Sequence, residues 1–132
     1  MRVIYNNKIP FKGFIAMCFY PFILVRYDKK ALFDDTTTRH ELIHANQQQE
    51  MYVAGFVLSL FLLLLGLSFW SLLAIPVYFY WYGIEWLMRW AYYRNRDTAY
   101  KNISFEREAY NNQSNMDYLR TRKHYAFLNF LY

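Results

Sequence analysis

Residues 51–84 read MYVAGFVLSLFLLLLGLSFWSLLAIPVYFYWYGI, an unbroken run without a charged side chain, closed by Glu50 before it and Glu85 after it. A helix in a water-soluble core has no need of so long an apolar run, so the economical expectation is a membrane. One helix of this length would reach about 51 Å, against about 30 Å of bilayer hydrocarbon. Two spans fit better, at residues 47–66 and 68–88, with the turn at Gly66-Leu67-Ser68. The Gln-rich start of the first span would then lie among the headgroups.

Charge placement supports that expectation. The chain has 132 residues, enough for one domain, and a net charge of +5. Its Lys and Arg residues fall on either side of the run, the last before it being Arg39 and the first after it Arg89. Basic flanks around an apolar block suit anionic lipid headgroups, with the bilayer as partner, and argue against a nucleic-acid partner. A hairpin puts both flanks on one side, and the positive-inside rule makes that side cytoplasmic. Both termini would then face the cytoplasm from a bacterial inner membrane. Trp81, Trp86 and Trp90, with Tyr82, Tyr92 and Tyr93, suit an aromatic belt at the exit of the second span or packing inside a bundle. Cys18 is the single cysteine, which excludes an internal disulfide and a cysteine zinc cluster. The apolar stretch Phe14–Val25 mimics a signal peptide, but no small-x-small site follows and Arg26 ends it.

Outside the run, residues 1–35 are rich in Ile, Val, Phe and Tyr. Phe14–Tyr20 and Phe22–Tyr27 flank Pro21 and read as a short β-hairpin. Thr38 followed by Glu41 is a capping box, which predicts a helix over 38–50 leading into the first span. Residues 95–132 are polar, with a helix expected around Ser104–Tyr118. Their tail, Tyr118–Tyr132, mixes basic and aromatic residues as a lipid-surface helix would. The expected fold is thus a mainly α membrane protein. In it an HExxH helix runs into a two-helix transmembrane hairpin, beside an N-terminal β-hairpin and a C-terminal helical segment.

The chemistry concentrates in His40-Glu41-Leu42-Ile43-His44. Two histidines four residues apart lie on one helix face, so both imidazoles can reach one Zn2+ ion. Glu41, beside the first, can take a proton from water acidified by that ion. A third ligand is needed. Glu50 stands ten residues after His40, where metzincins place a histidine, but Gln47 replaces the glycine that turns their chain back. On an unbroken helix Glu50 is carried about 9 Å along the axis from His44. His124 has no supporting motif. Gln47 and Gln48 share the histidine face and can serve as second-shell hydrogen-bonding groups or meet a substrate carbonyl. Glu85 is the lone acid at the edge of the apolar block. Arg89 four residues on is its expected partner, and Glu85 is otherwise a second-shell group or a docking point for the last segment.

Phe105-Glu106-Arg107-Glu108-Ala109-Tyr110 resembles the second-helix motif of gluzincins, the zincin group of thermolysin and the CAAX prenyl proteases. Matched by position, the resemblance makes Glu106 the third metal ligand and Ala109 the small packing residue. Tyr110 stands where the family usually has an Asp that orients a zinc histidine. Glu108 is the rival ligand, and since the two point about 200° apart on a helix only one can serve. Residues 39–51 and 98–112 together resemble small bacterial integral-membrane proteins of zincin-like, metalloprotease-like type. That resemblance implies a metallopeptidase-like fold. The expected function is a zinc metallopeptidase at the cytoplasmic membrane surface, with Glu41 catalytic and membrane-protein tails or loops as substrates. The alternative is a non-catalytic zincin-like subunit of a larger membrane complex. A lipid-modifying hydrolase using the same water is a third idea.

Overall fold

The apolar run does not fold as two membrane spans. In the computed structural model, which describes residues 1–132, it is divided among three elements. Helix α1 (Asp35–Leu64) takes its first part, a 3-10 segment (Ser68–Ala74) its middle and helix α2 (Val77–Tyr93) its last part. Only residues 51–64 of the run lie in α1, about 21 Å of helix, and the first half of that helix is polar. α2 has 17 residues, about 26 Å, below the span of about 30 Å. No helix is long and apolar enough to cross a membrane. This overturns the expected transmembrane hairpin, and with it the inner-membrane placement and the cytoplasmic orientation of both termini. The break has a local cause. The chain turns at Gly66, whose φ of 85° is left-handed, and the 3-10 segment folds back on α1. There Gly55 admits it: a Cβ on Gly55 would stand 2.5 Å from the Ala74 carbonyl oxygen and 2.6 Å from that of Ile75. Much of the run stays exposed all the same, including Phe56, Leu60, Leu64, Phe69 and Trp70.

α1 starts earlier than the capping box predicts. The Asp34 carboxylate accepts from the Thr37 backbone N–H at 2.8 Å and from the Thr37 hydroxyl at 2.8 Å. Asp34 is therefore the N-cap, and Glu41 is not engaged in capping.

The expected hairpin forms as β2 (Ala16–Phe19) and β3 (Phe22–Arg26), antiparallel. A strand not anticipated, β1 (Arg2–Asn6), pairs parallel with β3, giving the order β1-β3-β2. β2 is thus an edge, and α1 lies against it. Ala16, Ile23 and Val25 pack on Phe33 and Leu42, so this small sheet is glued to the first turns of α1.

Beyond α2 follow α3 (Arg96–Lys101), α4 (Ser104–Asn112), α5 (Tyr118–Thr121) and a closing 3-10 turn, Ala126–Phe130. The helix expected over 104–118 is therefore two shorter ones. The tail is no lipid-surface helix either. Phe127 is buried with its ring 4.4 Å from that of Phe105, and Phe105 in turn lies 4.5 Å from Tyr78. Met51, Tyr78, Ile103, Phe105 and Phe127 form the main core, which joins α1, α2, α4 and the tail. Aromatic side chains of this size dominate core energetics, and truncating one typically costs about 3–5 kcal/mol.

Glu85 joins Arg89 on its own helix to Ser104 in the last segment. It accepts from Arg89 Nε at 2.8 Å. It also accepts from the Ser104 N–H at 2.8 Å and the Ser104 hydroxyl at 2.6 Å. A carboxylate from α2 thereby neutralises the positive N-terminal end of α4 and fixes that helix two residues before Glu106.

Candidate metal centre

Two helices meet at His40, His44 and Glu106. The first two come from adjacent turns of α1, the third from the first turn of α4, and all three are buried. The two Nε2 atoms lie 3.1 Å apart. Glu106 Oε2 is 3.4 Å from His40 Nε2, and Glu106 Oε1 is 3.3 Å from His44 Nε2. Ligands held tetrahedrally at about 2.0–2.1 Å from a zinc ion stand about 3.3–3.4 Å from one another. The donor spacing therefore fits a single small cation. Glu106 Oε2 also has no hydrogen-bond partner, an unusual state for a buried carboxylate oxygen. A buried His40, His44, Glu106 group able to hold a metal ion is thus present.

Each imidazole is held from behind by a glutamine. His40 Nδ1 meets Gln113 Oε1 at 3.0 Å, and His44 Nδ1 meets Gln47 Oε1 at 2.8 Å. Carbonyl acceptors place a proton on each Nδ1 and leave Nε2 to face Glu106. Gln113 is itself fixed, since its backbone carbonyl accepts from Arg39 Nε at 2.7 Å. Gln47 donates to the Phe105 carbonyl at 3.1 Å and to Glu108 Oε2 at 3.0 Å. Gln47 thus ties the His44 ring to α4. Gln48 is not turned to a ligand. It pins the edge strand, donating to the Cys18 carbonyl at 2.9 Å and accepting from the Tyr20 N–H at 2.8 Å.

The rival carboxylates are occupied elsewhere. Glu108 accepts from Gln47, from the Tyr118 hydroxyl at 3.0 Å and from Arg122 Nε at 2.5 Å. Glu50 accepts from the other side of the same guanidinium, at 2.5 Å from Nη1. His124 lies outside at the surface, 3.1 Å from Glu50. Tyr110 does not replace an orienting Asp. Its ring packs edge-on against His40, with centroids 4.7 Å apart, and the orienting contact comes three residues later from Gln113.

The electrostatics follow from this packing. Burial works against charge on His44, but the Glu106 carboxylate outweighs it and pushes the imidazole up to about 9 in the metal-free protein. Burial would likewise raise Glu106, yet the facing histidines hold it far below the usual carboxylate range. Glu41 is 6 % exposed, and burial raises its carboxyl above the ordinary value despite the nearby histidines. Its Oε2 has no hydrogen-bond partner. Tyr82 donates to Glu106 Oε1 at 2.8 Å. Burial, reinforced by the Glu106 charge, pushes the Tyr78 and Tyr82 hydroxyls well up, which keeps both protonated. Burial also pushes the Cys18 thiol up to about 12, so it is an inert wall of the site.

All four groups, His40, Glu41, His44 and Glu106, line one cavity of 410 Å3 between β2 and α2. Gln113 was not singled out from the sequence, and Tyr82 was read there only as part of an aromatic belt or bundle. Gln113 stands seven residues after Glu106, two helical turns on, and that spacing was its available signal. No protein-family model, curated protein or solved structure matches this chain.

Proposed function

We propose that the protein is a zinc-dependent hydrolase whose substrate is a peptide bond. The observation that carries the reading is the convergence of three ligand atoms in a buried cavity that also holds a fourth, unligated carboxylate with a free oxygen. Two imidazoles and a carboxylate form a donor set suited to zinc, with room for a water. When bound, such an ion brings the pKa of water near neutrality and polarises a carbonyl oxygen.

The protein's own residues supply the rest. Gln47 and Gln113 hold the imidazoles so that both Nε2 lone pairs face Glu106. Glu41 receives the proton from the attacking water, and its raised pKa brings it closer to working pH as a base and later as an acid. The water oxygen bonds to the carbonyl carbon, the C–N bond breaks and Glu41 delivers its proton to the leaving nitrogen. The apolar walls exclude bulk water, which strengthens these contacts.

Metal analysis of the purified protein beside His44→Ala and Glu106→Ala tests the site. About one zinc per chain is expected in the wild type, with loss in both variants. Glu41→Gln is expected to keep zinc and lose hydrolysis. A wild type without zinc ends the reading at its first step.

The exposed apolar side chains of residues 53–73 favour a second reading, a non-catalytic subunit that docks a partner protein there. One stoichiometric complex that assembles normally with Glu41→Gln, and no hydrolysis by either form, would support it over catalysis.

A further inference from the structure

The cavity beside the metal centre has charged groups only among the residues already committed to it. The remaining lining is apolar or aromatic apart from the Gln48 amide, which is engaged with the backbone of Cys18 and Tyr20; Phe14 and Met17 stand on the strand side and Phe79 and Trp86 on α2. No Lys or Arg lines it to pair with a carboxylate, and its only carboxylates, Glu41 and Glu106, belong to the metal centre. Burying a substrate's charge unpaired is strongly unfavourable.

Gly83 lines the same cavity. It stands between Phe79 and Trp86 on one face of α2, four residues after the first and three before the second. Glycine in the middle of a helix is unfavourable relative to alanine, so a glycine there usually answers a packing need. Gly55 has one, in the carbonyl oxygens of Ala74 and Ile75. Gly83 has none: a Cβ built on it meets nothing within 4 Å, and its φ is not left-handed. What the missing side chain leaves is space in the cavity wall.

We propose that this cavity takes one large uncharged apolar side chain of an extended peptide, aromatic or long aliphatic, and that Gly83 sets how large that group can be. The inference rests on the hydrolase reading, since it places the side chain beside the reacting carbonyl. It makes the enzyme an endopeptidase with a size limit written on α2. A pocket of 410 Å3 lies within the usual range for ligand sites.

The test uses peptides blocked at both ends and identical except for one residue, Phe, Leu, Ala, Lys or Glu. For the wild type, kcat/KM with Phe or Leu is expected to exceed that with Ala by about 10–200-fold, with Lys and Glu lower still. Gly83→Leu, loaded with zinc, is expected to lower the Phe/Ala ratio at least about 10-fold. A preference for Lys or Glu, or an equal fall for every peptide, would overturn the proposal.

A binding measurement separates this from failure of the hydrolase reading. N-acetylphenylalaninamide is titrated into the metal-free protein and followed by the Trp86 indole N–H resonance. Saturable shifts are expected in the wild type, with binding at least about 10-fold weaker in Gly83→Leu. If zinc or cleavage is absent but these shifts appear, the hydrolase reading falls and the pocket stands. If the resonance does not move, or moves equally in both proteins, the pocket falls whatever the activity.

Discussion

The two halves of α1 are built on opposite principles. From Asp35 to Glu50 the helix buries polar groups, with His40, Glu41, His44, Gln47 and Gln48 all enclosed. From Met51 to Leu64 it exposes apolar ones, with Phe56, Leu60 and Leu64 open to the surroundings. The same backbone geometry serves both, so propensity does not explain the difference. What differs is the neighbour. The first half lies between β2 and α4, which bring hydrogen-bond partners to nearly every polar atom. Beyond Met51 and Tyr52, the second half packs mainly on the returning 3-10 segment and the start of α2. The stability of the first half therefore depends on pairing, and that of the second on area.

The sharpest way to break the polar half is at its boundary. Arg122 bridges Glu50, the last residue before the apolar run, and Glu108, two residues after Glu106; its side chain is 4 % exposed. Arg122→Ala would remove the cation shared by two largely buried carboxylates, leaving Glu108 with Gln47 and Tyr118 and Glu50 with the Tyr125 N–H. Losing one partner of a buried pair costs about 3–5 kcal/mol, and urea unfolding should show a loss of that size. A loss under about 1 kcal/mol would mean the network is hydrated and the contrast between the halves is weaker than described.

Acidity gives the next effect, and its sign is fixed by direction. The His44 pKa in the folded, metal-free protein is about 9, above its ordinary 6.5. Its contribution is full below pH 6.5 and is lost as pH rises through about 9, on the order of 3 kcal/mol. Glu41, also raised, loses stability in the same direction as it ionises. Glu106 is lowered, so its contribution is present above the ordinary 4.5 and is lost as pH falls below it. In chelator, thermal stability should therefore be greatest near pH 4.5, fall above it as Glu41 ionises, and fall further from about pH 6.5 towards pH 9 as His44 loses its proton. Zinc should reverse the decline, because it binds the neutral imidazoles and replaces the proton.

A smaller effect is expected from the glutamine behind His40. Gln113→Leu removes the acceptor at 3.0 Å and frees the ring to turn. Removal of such an outer contact typically costs about 10–100-fold in metal affinity, which competition with a chromogenic chelator would read. An unchanged affinity would show that the Tyr110 ring alone orients His40.

The polar half was more legible in the sequence than the apolar half. His40, Glu41 and His44 could be read from spacing, because four residues on a helix is itself a geometric statement. Glu106 came from likeness of its motif, and in the structure it lies beside His40 and His44. The helix start was misplaced by overlap: Asp34 with Thr37 and Thr38 with Glu41 are both capping patterns, and only the first is used. β1 was missed because its partner β3 is about twenty residues away, beyond the reach of local alternation. The apolar run misled for a physical reason. Apolarity measures what a segment would gain by leaving water, not where the chain breaks. The turn at Gly66 and the contact at Gly55 that divide it are long-range events between residues harmless in themselves.

The apolar half yields the smallest expected effect and, for that reason, the cleanest test of the contrast. Leu64 is 86 % exposed and Met51, on the same helix, 5 %. Both belong to one run and look alike in sequence. Met51→Ala should cost about 2–5 kcal/mol, the usual loss for a large core side chain. Leu64→Gln should change stability by less than about 0.5 kcal/mol, since it removes no buried area. Measured in dilute protein, the two values separate apolar residues that hold the fold from those that do not. A Leu64→Gln loss above about 1 kcal/mol that grows with protein concentration would show this end of α1 covered by a second copy of the chain. The area rule would then govern the whole helix, with part of the area supplied by the partner copy.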